Sequence, residues 1–110
     1  MTKNFLIKVA NFKQLANDRG SCLASDRITV DGKPVGFMYH EEPDHRHDSG
    51  WRFLAGDEDD DYMSDAANFE LYDVNTIANY DTDVVPLLDA PVGSAFIRDP
   101  VSNGLVPDDS

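Results

Sequence analysis

A β-strand over 51–55 is predicted within the stretch DSGWRFLAG (residues 48–56). Large apolar residues alternate with a charged one, which is typical of a strand with one buried face. We expect Trp51 and Phe53 to point into the core and Arg52 to point away from it. The flexible DSG before Trp51 favours a loop-to-strand junction over a ligand pocket, and Gly56 ends the strand.

Upstream of this strand, a β-hairpin is predicted by ITVDGKPVGFMY (28–39). Asp31-Gly32 separates two runs that favour strands, and this pair supplies the positive φ angles that a type I′ turn needs. Pro34 lacks a backbone N–H, so we expect the second strand to pair fully only after it. We therefore expect a hairpin with its turn at the Asp-Gly pair.

A short helix is predicted near the N-terminus, over 11–19. Phe12, Leu15 and Ala16 recur at the spacing of one helix face. Asn11 stands where an N-cap residue belongs, and a glycine follows at the other end.

The downstream half predicts a strand or extended piece over 69–72 and a final strand over 92–98. Between them we expect a helix capped by Asp73 or Asn75 and a second short helical turn capped by Thr82 or Asp83. Together these elements predict an α+β fold, with a small, largely antiparallel sheet that includes the DG hairpin and packs with short helices. We expect a single domain over 1–99 and a flexible tail over 100–110, which is rich in small and polar residues.

The chain is strongly acidic: its 110 residues include 9 Lys and Arg against 21 Asp and Glu, for a net charge of −12. The charge is uneven, because 1–34 carries +3, 41–65 carries −8 and 66–110 carries −7. This balance argues against binding to nucleic acid or to an anionic membrane surface. The negative charge is compatible with a basic protein partner or a bound cation, and it can also serve solubility alone.

The only cysteine is Cys22, so an intrachain disulfide is impossible and a reducing compartment is favoured. We expect it to be a small buried residue. The apolar stretch at Phe5–Ile7 is interrupted by Lys8, too early for a signal peptide or a membrane helix. We therefore expect a cytoplasmic protein.

Candidate metal and catalytic motifs fit poorly. The acidic run 57–61 has consecutive acids, no glycine at its sixth position and Asn68 at its twelfth, unlike a calcium loop. No standard zinc spacing is matched by the histidines, His40, His45 and His47. The serines lack the surroundings of a nucleophile, and no carboxylate pair stands out. We expect no catalytic residues, no metal and no cofactor.

Several strings together resemble one bacterial family: SDRITVDGKPVG (25–36), VGFMYHEEP (35–43), DSGWRFLAGDEDD (48–60), YDVNTIANYD (72–81) and VVPLLDAPVGSAFIRD (84–99). It is the immunity protein 33 domain family, formerly domain of unknown function 2185. The resemblance implies a small cytoplasmic protein; some members are encoded beside polymorphic toxins and are predicted to neutralise them. It supplies no catalytic residues, and its motifs at 48–53 and 56–58 lie at the strand and its exit.

The first hypothesis for function is a non-enzymatic protein whose acidic surface binds a basic toxin or another protein. The residues expected to contact the partner are Glu41, Glu42, Asp44, Asp48, Trp51, Arg52, Asp57, Glu58, Asp59, Asp60 and Asp61. Trp51 would act as the aromatic anchor if it is partly exposed. The sequence gives no oligomeric state.

The second hypothesis is a stand-alone domain that binds a small ligand or carries an unrecognised activity. In that case the side chains expected to converge on one pocket are Tyr39, Asp48, Trp51 and Arg52.

Overall fold

The computed structural model describes residues 5, 7, 12–16 and 18–108, and its centre is a six-stranded mixed sheet. The strands are β1 (Ser21–Ser25), β2 (Phe37–His40), β3 (Asp48–Leu54), β4 (Phe69–Asp73), β5 (Ala95–Arg98) and β6 (Leu105–Pro107). Their order is β4-β1-β3-β2-β5-β6, and all neighbours are antiparallel except β1 and β3, which are parallel.

Short helices complete the fold: α1 (Asp26–Thr29), α2 (Asp60–Met63), α3 (Val74–Tyr80) and two 3₁₀ helices at Ala66–Asn68 and Thr82–Leu87. The predicted α+β class with a largely antiparallel sheet is confirmed. Among the described residues, no helix is long and apolar enough to cross a membrane.

β3 lies inside the sheet, and its two faces differ. Trp51 and Phe53 are buried on the face that packs against α3 and the longer 3₁₀ helix, which we call the helix side. Burying side chains of this size contributes about 1.5–3 kcal/mol each. The predicted orientation of both aromatic residues is confirmed. Arg52 lies on the opposite face, as expected, but it is buried rather than solvated.

α3 forms where its cap and apolar spacing predict a helix. The Asp73 carboxylate accepts a hydrogen bond from the Asn75 N–H at 2.9 Å, which satisfies an otherwise unpaired helix donor. The buried residues Val74, Ile77 and Ala78 follow one helix face. The next turn, Thr82–Leu87, is capped by Asp81 instead of the expected Thr82 or Asp83.

The predicted DG hairpin is wrong. Ser25 caps α1 in that region, with Ile28 and Thr29 fully buried, and β2 pairs with β3 and β5 instead. The Gly32 N–H donates to the Ile28 carbonyl oxygen at 3.2 Å, with φ at +80°. The Asp-Gly pair therefore ends a short helix, because glycine's freedom at positive φ serves a helix C-terminus as well as a hairpin turn.

The helix predicted over 11–19 is wrong for the residues that the structure describes, because 12–16 is not helical. Two asparagine side chains of α3 bind this backbone instead. Asn75 Oδ1 accepts from the Leu15 and Ala16 N–H groups at 2.7 and 2.9 Å, and Asn79 Oδ1 accepts from Lys13 at 2.7 Å. These bonds replace the ones that a helix would make. The expected cap, Asn11, lies outside the described residues.

The C-terminal tail is a strand in part. We expected 100–110 to be loose, but β6 pairs with β5 through Phe96↔Pro107, Ile97↔Val106 and Arg98↔Leu105. Arg98, at the end of β5, also donates to the carbonyl oxygen of Asn103, which lies in the connection between β5 and β6 (3.0 Å). Pairing with β5 satisfies backbone groups that a free tail would leave to water, so the expectation fails for 105–107.

Candidate functional site

The sheet face opposite the helix side carries a row of side chains in register, and we call it the open face. Leu71 on β4 lies opposite Leu23 on β1, which lies opposite Arg52 on β3, which lies opposite Tyr39 on β2. Leu71 is 66% exposed. The open face therefore presents apolar side chains around one buried cation.

Arg52 is held by carboxylates from its own strand and from the preceding loop. Its two terminal nitrogens donate to the Asp48 carboxylate at 2.9 and 2.8 Å, and its Nε donates to Glu41 Oε2 at 2.7 Å. Asp44 lies farther away, at 3.7 Å. The Arg52 and Asp48 side chains are only 8% and 5% exposed. The pair is thus a buried, two-pronged ion pair of the kind that arginine forms with a carboxylate.

The ion pair shifts the pKa of both members. The hydrogen bonds that Arg52 donates to Asp48 hold the pKa of Asp48 well below its usual range, and the same bonds raise the pKa of Arg52. Both groups therefore stay charged across the physiological range. With Glu41 and Asp44, three carboxylates surround one guanidinium, so the cluster has a negative charge.

Asp48 also shapes the loop that precedes β3. Its carboxylate accepts from the Asp44 N–H at 2.8 Å and from the Gly50 N–H at 2.9 Å. Gly50 has φ at +87°, and a Cβ there would lie 2.2 Å from the Glu41 carbonyl oxygen. The DSG segment, predicted as a loop-to-strand junction, is the first part of β3, so the strand begins three residues earlier than predicted. Glycine is required at position 50 by both its φ and the close backbone.

A groove of about 460 Å³ crosses the open face. Its apolar lining comes mainly from Leu23, Leu54, Met63, Phe69 and Leu71, and Tyr39 and Arg52 also line it. A second depression of about 320 Å³, which we call the acidic depression, shares Leu23, Arg52 and Leu71 with the groove. Its other lining residues are Glu41, Asp44, His45 and Asp48.

The sequence did not predict the groove. Leu71 and Met63 were not candidate residues, although the alternation of side chains in FELYD (69–73) places Leu71 on the face of Phe69 and opposite that of Tyr72. The sequence also contains a signal for the pairing of Asp48 with Arg52, since residues four apart in a strand lie on the same face.

The acidic run is largely engaged within the fold. Asp57 pairs with Arg27 at 3.0 Å and with Lys33. Glu58 accepts from two backbone N–H groups, at 2.8 and 2.9 Å, and Asp59 caps α2. Asp60 and Asp61 are exposed in the first turn of α2, and Asp57 and Asp59 are exposed as well despite these contacts. In the preceding loop, Glu41, Glu42 and Asp44 are exposed.

Trp51 does not meet the condition for an aromatic anchor, because it is only 2% exposed. Its ring stacks on His40 at 4.5 Å, and its Nε1–H donates to the Leu88 carbonyl oxygen at 3.3 Å. The other three residues of the pocket hypothesis, Tyr39, Asp48 and Arg52, lie on the open face. Because Trp51 lies in the core instead, the four side chains of that hypothesis do not converge on one pocket.

The remaining candidates have structural positions. The His40 ring lies between the Ala90 and Ser49 carbonyl oxygens, each 2.8 Å from a ring nitrogen. Cys22 is fully buried, and burial raises the pKa of its thiol far above the usual value, in agreement with its predicted role as a small core residue. The described residues include no group of three or more His, Cys, Asp or Glu placed to hold a metal ion.

A comparison with family models finds that residues 22–105 match the Immunity protein Imm33 domain. No match is found among curated proteins or among solved structures. The matched range begins in β1 and ends in β6, so it covers the sheet, the groove and the acidic depression.

Proposed function

Because the chain belongs to the Imm33 immunity protein domain family, we propose that it is a non-enzymatic immunity protein that binds and neutralises a cognate toxin in the cytoplasm. The observation that carries this proposal is the family match over 22–105. The motifs that resemble this family lie largely within the matched range.

We further propose that an acidic surface makes the contact. The described residues include seven Lys and Arg side chains, and five of them are engaged in ion pairs: Arg19, Arg27, Lys33, Arg52 and Arg98. The surplus of carboxylates therefore dominates the field at the surface. Such a field attracts a basic protein partner and speeds its association. It is unfavourable for nucleic acid and for anionic membranes.

The proposal can be tested by using the full chain as bait against proteins of the source cell, with the captured proteins identified by mass spectrometry. A captured protein is then expressed alone and together with the chain. We expect it to stop growth when alone and to lose this effect when the chain is present, without covalent change to either protein. Capture of proteins that are never toxic would contradict the proposal.

The contribution of charge is tested by Asp60→Lys, with Asp89→Lys as the matched control. Asp60 lies in the acidic run, whereas Asp89 is exposed beyond the longer 3₁₀ helix on the helix side. Asp89 pairs there with Arg19 at 2.8 Å, and losing an ion pair this exposed costs less than about 1 kcal/mol. We leave Asp59 unchanged because its carboxylate caps α2. At low salt, Asp60→Lys should slow association with the toxin several-fold and flatten its salt dependence, and Asp89→Lys should change it less. Equal association rates for all three proteins would contradict an acidic contact surface.

A further inference from the structure

The groove on the open face and the acidic depression are adjacent parts of one surface. Both are lined by Leu23, Arg52 and Leu71, so a ligand in one lies against the other. Apolar side chains supply most of the lining of the groove, and the acidic depression adds three carboxylates, those of Glu41, Asp44 and Asp48. An apolar side chain and a neighbouring cation would therefore find matching surroundings here at the same time.

The charge of the acidic depression remains negative although it contains Arg52. The guanidinium already donates to Asp48 and Glu41, whose carboxylates are held in place by these bonds. Asp44 is 84% exposed and Glu41 is 49% exposed, so both can accept from an incoming donor. The surface is thus preorganised, which lowers the entropy that binding would cost.

The described N-terminal residues lie on the other side of the sheet. Phe5 contacts the Tyr72 ring, with centroids 6.0 Å apart, and the Ile7 N–H donates to the Tyr80 hydroxyl at 3.1 Å. Tyr72 and Tyr80 pack against the core of the helix side. Neither of these two described residues therefore covers the open face.

We propose that the groove binds a segment of the toxin, with an apolar side chain in the groove and an adjacent lysine or arginine at Glu41 and Asp44. This inference rests on the proposed function and specifies the kind of segment that the partner supplies. Charge complementarity favours a basic segment over a second copy of this acidic chain.

The probes are three peptides: acetyl-Arg-Leu-Arg-amide, acetyl-Glu-Leu-Glu-amide and acetyl-Arg-Ser-Arg-amide. Each is titrated into the ¹⁵N-labelled full chain, and amide shifts are followed by NMR. The first peptide should bind at least about tenfold more tightly than either of the others, because it alone has both the apolar and the basic groups. Its shifts should centre on Leu23, Arg52 and Leu71.

The variant Leu71→Arg puts a cation at the shared edge of groove and depression, and Val101→Arg is the matched control. Both side chains are exposed, so neither substitution opens the core, and Val101 lies in the connection between β5 and β6. We expect Leu71→Arg to weaken binding of the first peptide at least about tenfold and Val101→Arg to leave it within about twofold. Unchanged amide spectra away from each substitution confirm the fold.

Other outcomes overturn the inference. Equal affinity for the three peptides, or equal binding by both variants, would show that the groove does not select this segment. A dimer in sedimentation that Leu71→Arg converts to a monomer would assign the face to a second copy of the chain. If the wild-type chain and Leu71→Arg protect equally against a captured toxin, the groove is wrong and the immunity function stands. If no toxin is neutralised by the wild-type chain, the immunity function itself fails.

Discussion

The substitution Asp48→Asn should destabilise the protein strongly, because Asp48 compensates the buried charge of Arg52. The Arg52 side chain is 8% exposed and donates two hydrogen bonds to this carboxylate. Asparagine keeps one acceptor oxygen, so it cannot serve both the guanidinium and the two backbone N–H groups that Asp48 also binds.

The expected magnitude follows from the partners that remain. Removing one member of a buried ion pair costs about 3–5 kcal/mol. Glu41 still accepts from the Arg52 Nε, so we take the lower end, about 3 kcal/mol. With a urea dependence of about 1–2 kcal/mol per molar, the unfolding midpoint should fall by about 1.5–3 M.

The assay is urea unfolding followed by circular dichroism, with Asp44→Asn as the control. Asp44 is 84% exposed and lies 3.7 Å from Arg52, so its neutralisation should cost less than about 0.5 kcal/mol. In the background Arg52→Met, the cost of Asp48→Asn should shrink by about 2 kcal/mol, since the charge to be compensated is gone. Equal midpoints for the two asparagine variants would refute this account of the cluster.

Three further predictions concern the same region. The folded-state pKa of Asp48 lies below its unfolded value of about 3.9, so the stability that its carboxylate contributes is complete above that pH and is lost as the pH falls towards the folded pKa. The free energy of unfolding from urea should therefore exceed that of Asp48→Asn by about 1 kcal/mol less at pH 3 than at pH 5. Gly50→Ala should lower the free energy of unfolding, measured by thermal unfolding, by about 2 kcal/mol or more, and Gly93→Ala by only about 1 kcal/mol. Both glycines have φ near +90°, but a Cβ at Gly93 meets nothing within 4 Å, so similar losses would contradict the close contact at Gly50. His40→Phe keeps an aromatic ring against Trp51 but removes the ring donor between two backbone carbonyl oxygens. The free energy of unfolding, measured by calorimetry, should fall by about 1–2 kcal/mol, whereas an unchanged melting temperature would show that those contacts contribute nothing.

Much of the fold follows from local patterns. The alternation around Trp51 and Phe53 places β3, and the Asp73 cap with its apolar spacing places α3, because both signals depend on residues a few positions apart. The family motifs are equally local. Many of their residues have structural roles, such as Gly50 beside the loop backbone and Asp57 paired with Arg27 and Lys33.

The candidate site depends on contacts between distant segments, which local patterns do not encode. The sequence places acids at 41–48 and 57–61, but only the tertiary structure buries Asp48 against Arg52. It also engages Asp57 in ion pairs and Asp59 in a helix cap, although both stay exposed like Asp60 and Asp61. The groove exists because β4 pairs with β1 and brings Leu71 beside Leu23.

The sequence by itself determined the α+β class, the family and the strong negative charge. The tertiary structure decided three things: that the Asp-Gly pair ends a helix, that Trp51 belongs to the core, and that Arg52 lies under carboxylates beside an apolar groove. The physical reason is that the burial and pairing of a side chain are fixed by the elements packed over it. Those elements come from distant parts of the chain and are brought together only by the pairing of the strands.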